Sequence, residues 1–283
     1  MTVTAGTRIG TARLVVADAD RSIAWYAGVL GLTVLRREPR RVDLGLDGRV
    51  LVRLDVLPGT RPKPPGTTGL YHVAFLLPDR PSLGAFLRAA AGRGEAIGHG
   101  DHLVSEALYL NDPDGNGIEV YRDRPRDEWA HTPDGQVVMG TGAVDLAGLV
   151  AEADARELAW GRAPAGTTVG HVHLQVDDLP GARTLYSDVL GLAVTVDMSS
   201  RGALFFGADG YHHHIGSNTW TSRGGPPPGR DTATIRTVDL VVPAAARDAV
   251  ERRARAHGLA SRATDDALEL DDPWGVTLRV TSD

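Results

Sequence analysis

Trp25-Tyr26-Ala27-Gly28-Val29-Leu30-Gly31-Leu32 returns 160 residues later as Leu185-Tyr186-Ser187-Asp188-Val189-Leu190-Gly191-Leu192. The segments just before them match at the same offset: Gly10-Thr11-Ala12-Arg13-Leu14-Val15-Val16 parallels Gly170-His171-Val172-His173-Leu174-Gln175-Val176. Each copy reads as an alternating strand, an Asp-rich turn, a short amphipathic helix ending at Val-Leu-Gly-Leu, then further strands. Arg41 to Val56 supplies those strands in the first copy. Ala203 to Phe206 and Tyr211 to Trp220 supply them in the later one.

A second pair of segments repeats as well. Tyr71 to Pro78 parallels Arg236 to Pro243, each followed by a helical pattern, Pro81 to Arg93 and Ala244 to His257. Both then reach a strand closed by Asp-Pro-x-Gly, at Asp112 to Gly115 and Asp272 to Gly275. The chain is thus expected to be α+β, four βαβββ modules in two tandem pairs. Residues 1–122 hold modules at about 8–57 and 69–122, and residues 170–283 hold modules at about 170–220 and 234–281. Pro-rich Pro58 to Thr68 and Thr221 to Arg230 separate modules within each pair. Residues 123–169 form a linker, with a helix predicted over Val144 to Ala159 by its apolar spacing. One such module has a small curved sheet and one helix, so it must pair to bury its face.

Composition narrows the chemistry. The 283 residues are 42% hydrophobic and 23% charged, with a formal net charge of -6. That balance speaks against nucleic acid or an anionic membrane as partner. There is no cysteine, so any metal must be held by His and carboxylate. No basic, then apolar, leader opens the chain and no apolar run approaches the length of a membrane span. A cytoplasmic protein is the expectation, and a homodimer is the oligomer favoured by base rates.

The stretch Gly100 to Glu119, GDHLVSEALYLNDPDGNGIE, places His102, Tyr109 and Glu119 on one strand–turn–strand unit. Its centre, Asn111 to Gly117, is dense in turn formers. A lone Glu on a strand is ordinarily a solvent-facing edge residue, since an unpaired buried charge is costly. A metal ion is the other reason to place one there.

With its ADADRSIAWYAGVLGL and DDLPGARTLYSDVLGL segments, the repeat resembles the vicinal-oxygen-chelate superfamily of glyoxalase, bleomycin-resistance and extradiol-dioxygenase proteins. The resemblance spans nearly the whole chain and implies paired modules forming cupped, metal-binding barrels. The spacing Gly100-x-His102, Leu108-Tyr109-x-x-Asp112-Pro113-x-Gly115, Glu119 is similar to the signature of extradiol ring-cleavage dioxygenases, of the catechol-2,3-dioxygenase-like type. That likeness implies an acid/base role for His102, a hydrogen bond from Tyr109 to substrate or an intermediate, and Glu119 as a ligand to iron(II), with manganese(II) the alternative.

In that superfamily, ligands lie on the first strand and near the end of the last strand of a module. The repeat puts Thr11, His72, His171 and Thr237 at the first kind of position, and Glu119 and Arg279 at the second. Arginine cannot bind a cation. The resemblance therefore implies one complete site, His72, His171 and Glu119, which leaves coordination positions open for a small aromatic diol and O₂. It also requires the second module to share a barrel with the third, and the first with the fourth.

His173 shares a face with His171 and is a pocket residue or a spare ligand. The run Tyr211 to Trp220 carries three consecutive histidines. On a strand, either His213 alone or His212 with His214 points inward. His213 is preferred as the second-sphere base because Tyr211 and Ile215 share its face, with His214, Asn218 and Trp220 as further pocket candidates. His99, His131 and His257 are read as surface residues. Two competing functions are a glyoxalase-like metal-dependent lyase or isomerase and a non-catalytic binder of aromatic drugs.

Overall fold

The computed structural model describes residues 6–282. The first module comprises β1 (Arg8–Val16), α1 (Ala19–Gly28), β2 (Thr33–Glu38), β3 (Arg41–Leu46) and β4 (Arg49–Val56). The second comprises β5 (Gly69–Leu76), α2 (Arg80–Gly92), β6 (Gly98–Asp101), β7 (Ser105–Asn111) and β8 (Gly117–Asp123). The linker carries α3 (Leu146–Ala155). The third module has β9 (Thr168–Gln175), α4 (Leu179–Ala182) running on as a π-helical turn over Arg183–Val189, β10 (Ala193–Met198), β11 (Ala203–Gly207) and β12 (Ile215–Asn218). The fourth has β13 (Ile235–Val241), α5 (Ala244–Ala256), β14 (Ser261–Ala263), β15 (Ala267–Asp271) and β16 (Thr277–Thr281).

Local chemistry explains the repeated helix. The side chains of Asp18, Asp79 and Asp178 cap α1, α2 and α4 by accepting from the backbone N–H three residues on. At the other end, Gly31 and Gly191 take left-handed backbone (φ 72° and 86°). Leu32 N–H then bonds Tyr26 C=O and Leu192 N–H bonds Tyr186 C=O, each six residues back, tying the end of the helix to the turn. That turn is the physical content of Val-Leu-Gly-Leu.

Two eight-stranded sheets result, ordered β14-β15-β16-β13-β1-β4-β3-β2 and β10-β11-β12-β9-β5-β8-β7-β6. The first module therefore continues into the fourth and the second into the third. The tandem pairs are pairs along the chain, and the sheets are built across them. At the centre of each sheet the two first strands run antiparallel, β1 with β13 and β5 with β9. Within a module the first strand pairs parallel with the last, as β5 does with β8. Helices cover the convex faces over one continuous core that includes Tyr26, Phe86, Tyr186 and Phe206. No helix among the described residues is long and apolar enough to cross a membrane.

One expected strand is shorter than its sequence pattern. The run predicted over Tyr211 to Trp220 pairs only as β12, Ile215–Asn218. Asp209 and Gly210 adopt left-handed backbone and Tyr211 N–H turns back to Ala208 C=O. Strand-like pairing resumes at His214, whose N–H reaches Phe206 C=O. Tyr211 to His213 thus cross a loop, where strict alternation of faces does not hold.

Candidate metal centre

The concave face of the second sheet brings the three candidate ligands together by register. Across the row, Glu119 on β8 pairs with Ala74 on β5, which pairs with His171 on β9. His72 lies two residues before Ala74 and so on the same face. The small Ala74 side chain leaves the space between Glu119 and His171 unfilled. Glu119 Oε2 is 2.9 Å from His72 Nε2 and 3.2 Å from His171 Nε2. All three residues are buried, and one donor atom of each lies within 4.8 Å of the others. His72 Nε2 is buried and lacks hydrogen-bond geometry to any partner, despite its nearness to the carboxylate. An orphaned donor beside a buried carboxylate is costly on its own. Two imidazoles and one carboxylate with convergent lone pairs suit a divalent cation.

Electrostatics agrees with that set. Burial, only partly offset by Glu119, lowers His171 to about 4, so its ring is neutral at pH 7. Burial also raises Glu119, but the facing His171 and His72 outweigh it and hold the carboxyl well below its usual range. Neutral imidazole and ionised carboxylate are the forms that ligate metal.

A cavity of about 280 Å³ opens over this cluster. His102, Tyr109, His173, His213 and Trp220 line it with the three clustered residues. His102 Nδ1 lies 2.9 Å from Gly140 C=O, to which it can only donate. Its Nε2 therefore carries the lone pair that accepts Tyr109 Oη–H at 2.6 Å. Burial first, then Glu119, pushes the Tyr109 hydroxyl well above its ordinary pKa, so it stays protonated. His213 lies tilted against His171 at 4.1 Å between ring centroids, and its Nε2 is buried without a partner. His173 Nε2 is taken by Asn218 Nδ2 at 3.1 Å, which leaves His173 as wall and Asn218 behind it. Trp220, 51% exposed, stands at the rim against Tyr71.

His214 is not in the cavity wall: its Nδ1 accepts from Ala208 N–H and its ring packs on Tyr211. The loop at 211–214 carries His213 in and His214 away. Sequence reasoning missed several lining residues, among them Tyr71, Met198 and Phe205. It also missed Met139, Gly140 and Thr141, from the linker. An apolar residue beside the first-strand His, as Tyr71 is, was an available signal; the linker residues carried none. His99, His131 and His257 are exposed.

In the other sheet the equivalent place is filled differently. Arg279 bonds Asp239 at 2.9 Å and Asp266 at 2.6 Å and lies 3.3 Å from Glu269. A fixed guanidinium stands where the second sheet has Glu119, lining one pocket with Thr11 and Thr237.

Comparison with known proteins follows the same division. The family model described as the Glyoxalase/Bleomycin resistance protein/Dioxygenase superfamily matches residues 8–120 and again 168–280. The chain is 44% identical over 271 residues to the catechol-2,3-dioxygenase of Bacillus subtilis, covering 94% of each. Among solved structures, glyoxalase I from Zea mays matches with a TM-score of 0.60 at 16% identity, over 98% of this chain and 92% of that one. A Bacillus subtilis protein provisionally assigned as a dioxygenase matches with a TM-score of 0.66 at 13% identity, over 100% and 86%. At those identities the two structures speak for the fold alone.

Proposed function

The chain belongs to the Glyoxalase/Bleomycin resistance protein/Dioxygenase superfamily, and on that premise we propose that it is an extradiol dioxygenase, opening a catechol or related dihydroxylated aromatic with O₂. The observation that carries this reading is the meeting, in one cavity, of the His72–His171–Glu119 cluster with the Tyr109–His102 pair. The identity to the Bacillus subtilis enzyme supports it. A glyoxalase-type reaction would leave that second pair without a task.

His72 Nε2, His171 Nε2 and the Glu119 carboxylate would hold iron(II), or manganese(II) with the same donors. When bound, the ion supplies Lewis acidity and brings the diol and O₂ together. The remaining steps belong to the protein. Met139, Met198, Phe205 and Trp220 offer an apolar wall for the ring. No Lys or Arg lines the cavity among the described residues, which favours a neutral aromatic over a carboxylated one. His213 Nε2 offers a free lone pair to take a diol proton. Tyr109 would turn its hydroxyl proton from His102 Nε2 to the substrate oxygen that gains charge, and His102 Nε2 would take it back afterwards. Catechol and O₂ together supply every atom of a hydroxymuconic-semialdehyde product, so no further reductant is consumed.

The test is a metal and substrate panel. Protein loaded anaerobically with iron(II), manganese(II), nickel(II) or zinc(II) is offered catechols with O₂, and separately the hemithioacetal of methylglyoxal. Yellow ring-opened product with iron or manganese supports the reading. Turnover of the hemithioacetal alone moves the chain to the lyase class.

A further inference from the structure

Two polar side chains, Asp123 and His212, stand behind the cavity wall, and the reaction above does not touch them. Strand β8 turns alternate residues to one face, so Glu119, Tyr121 and Asp123 follow one another into the cup. Asp123 Oδ1 lies 2.9 Å from His212 Nε2. His212 Nδ1 lies 2.7 Å from His213 Nδ1. His213 Nε2, at the far end, is buried without a partner and faces the cavity.

These distances fix the protons in turn. A carboxylate accepts only, so His212 Nε2 must be the N–H. A neutral His212 then has its lone pair on Nδ1. That lone pair must meet an N–H on His213 Nδ1, which leaves His213 Nε2 bare. The opposite arrangement would set Asp123 against a lone pair in a buried space, with nothing to offset the repulsion.

The chain is also held rigidly. His212 is fully buried. Tyr211 packs on its ring at 4.2 Å between centroids and Trp129 at 5.3 Å. The Arg126 guanidinium lies over both of those rings, at 5.2 and 5.7 Å. Tyr211 Oη in turn bonds Tyr121 Oη at 2.7 Å. A histidine gripped this way cannot turn its ring to trade partners without unpacking its cage.

We infer that Asp123 and His212 are positioning residues that lock His213 in its Nδ1–H tautomer and so present a bare Nε2 lone pair to the substrate. The tautomer follows from these distances with a neutral His212; its use in catalysis rests on the extradiol reading. Neither residue reaches the cavity, so neither is expected to change substrate affinity. Both act on the step that needs the proton acceptor.

Two measurements separate the inference from that reading. In metal-free protein carrying ¹⁵N-histidine, long-range proton–nitrogen correlation at pH 7.5 reads the tautomer of His213, assigned with His213→Gln. Wild type and Asp123→Asn, whose amide oxygen still accepts, should show Nδ1–H; Asp123→Leu and His212→Gln should show a mixture or the Nε2–H form. In iron-loaded enzyme, His212→Gln and Asp123→Leu should lower kcat about 10- to 100-fold, with KM and iron content held. Asp123→Asn should recover most of that loss. An Nε2–H His213 in wild type, as a doubly protonated His212 would impose, overturns the inference. So does a tautomer that ignores Asp123→Leu. The expected tautomers in a protein that cleaves no catechol would sustain the inference and sink the extradiol reading.

Discussion

Glu119→Gln is the substitution that most sharply separates a metal site from a structural ion cluster. The three donors come from β5, β8 and β9, in two modules, and converge only when the second sheet is assembled. An ion that binds this cluster binds the folded chain and not the unfolded one. At a hundred times its dissociation constant, iron(II) should then add about 2.7 kcal/mol of stability. For a chain of this size that corresponds to a rise in Tm of roughly 5 °C. In the variant the rise should vanish, because the charged donor is gone and an amide is a poor substitute. The metal-free variant should melt below wild type, because a neutral amide loses the contacts with His171 and His72 that hold the carboxyl below its usual range. Thermal unfolding followed by circular dichroism in an anaerobic cell, with and without iron(II), measures the shift that discriminates. A purely structural cluster predicts no shift with iron in either protein, and that outcome refutes the reasoning.

Three further outcomes follow from the described geometry. Tyr109→Phe removes the hydroxyl that bonds His102 Nε2 at 2.6 Å. It should lower kcat about 10- to 100-fold, the worth of one hydrogen bond to a charged group, with iron binding retained in metal analysis. Gly170→Ala would put a Cβ 1.8 Å from Tyr121 Oη, displacing the Tyr121–Tyr211 pair at a cost of about 1–3 kcal/mol, measurable by urea unfolding. Asp272 is buried at the fourth module's turn, and burial pushes it up to about 7 despite bonds from Trp274 and Val276 N–H. Its folded pKa exceeds the unfolded value near 3.8, so the folded chain holds the extra proton between the two. Stability from this group is present below pH 4 and lost as pH rises through 7. Asp272→Asn keeps the accepting oxygen, and its Tm advantage over wild type should grow between pH 5 and 8.

The parts of the site that were legible in the sequence were those the repeat makes comparable. Thr11 against His171, Thr237 against His72 and Arg279 against Glu119 distinguish a position the fold needs from a side chain it does not. The same comparison required β5 and β9 to meet, as they do. Ala74 was invisible because its contribution is an absence of bulk, and only the strand register shows what it lies between. The histidine run was misread in form because alternation assumes a strand, and Asp209-Gly210 turns the backbone out of one. The same loop lets His212 and His213 bond each other, which no strand would allow. Gly140, whose carbonyl sets the tautomer of His102, lies in a linker with no periodicity to read.

The most direct test of the account measures O₂ consumption against catechol loss in protein loaded anaerobically with iron(II), beside Glu119→Gln prepared in the same way. The account predicts one O₂ consumed for each catechol opened in wild type and none above background in the variant. Wild-type protein that holds iron near one per chain, yet consumes no O₂ with any catechol, would contradict it.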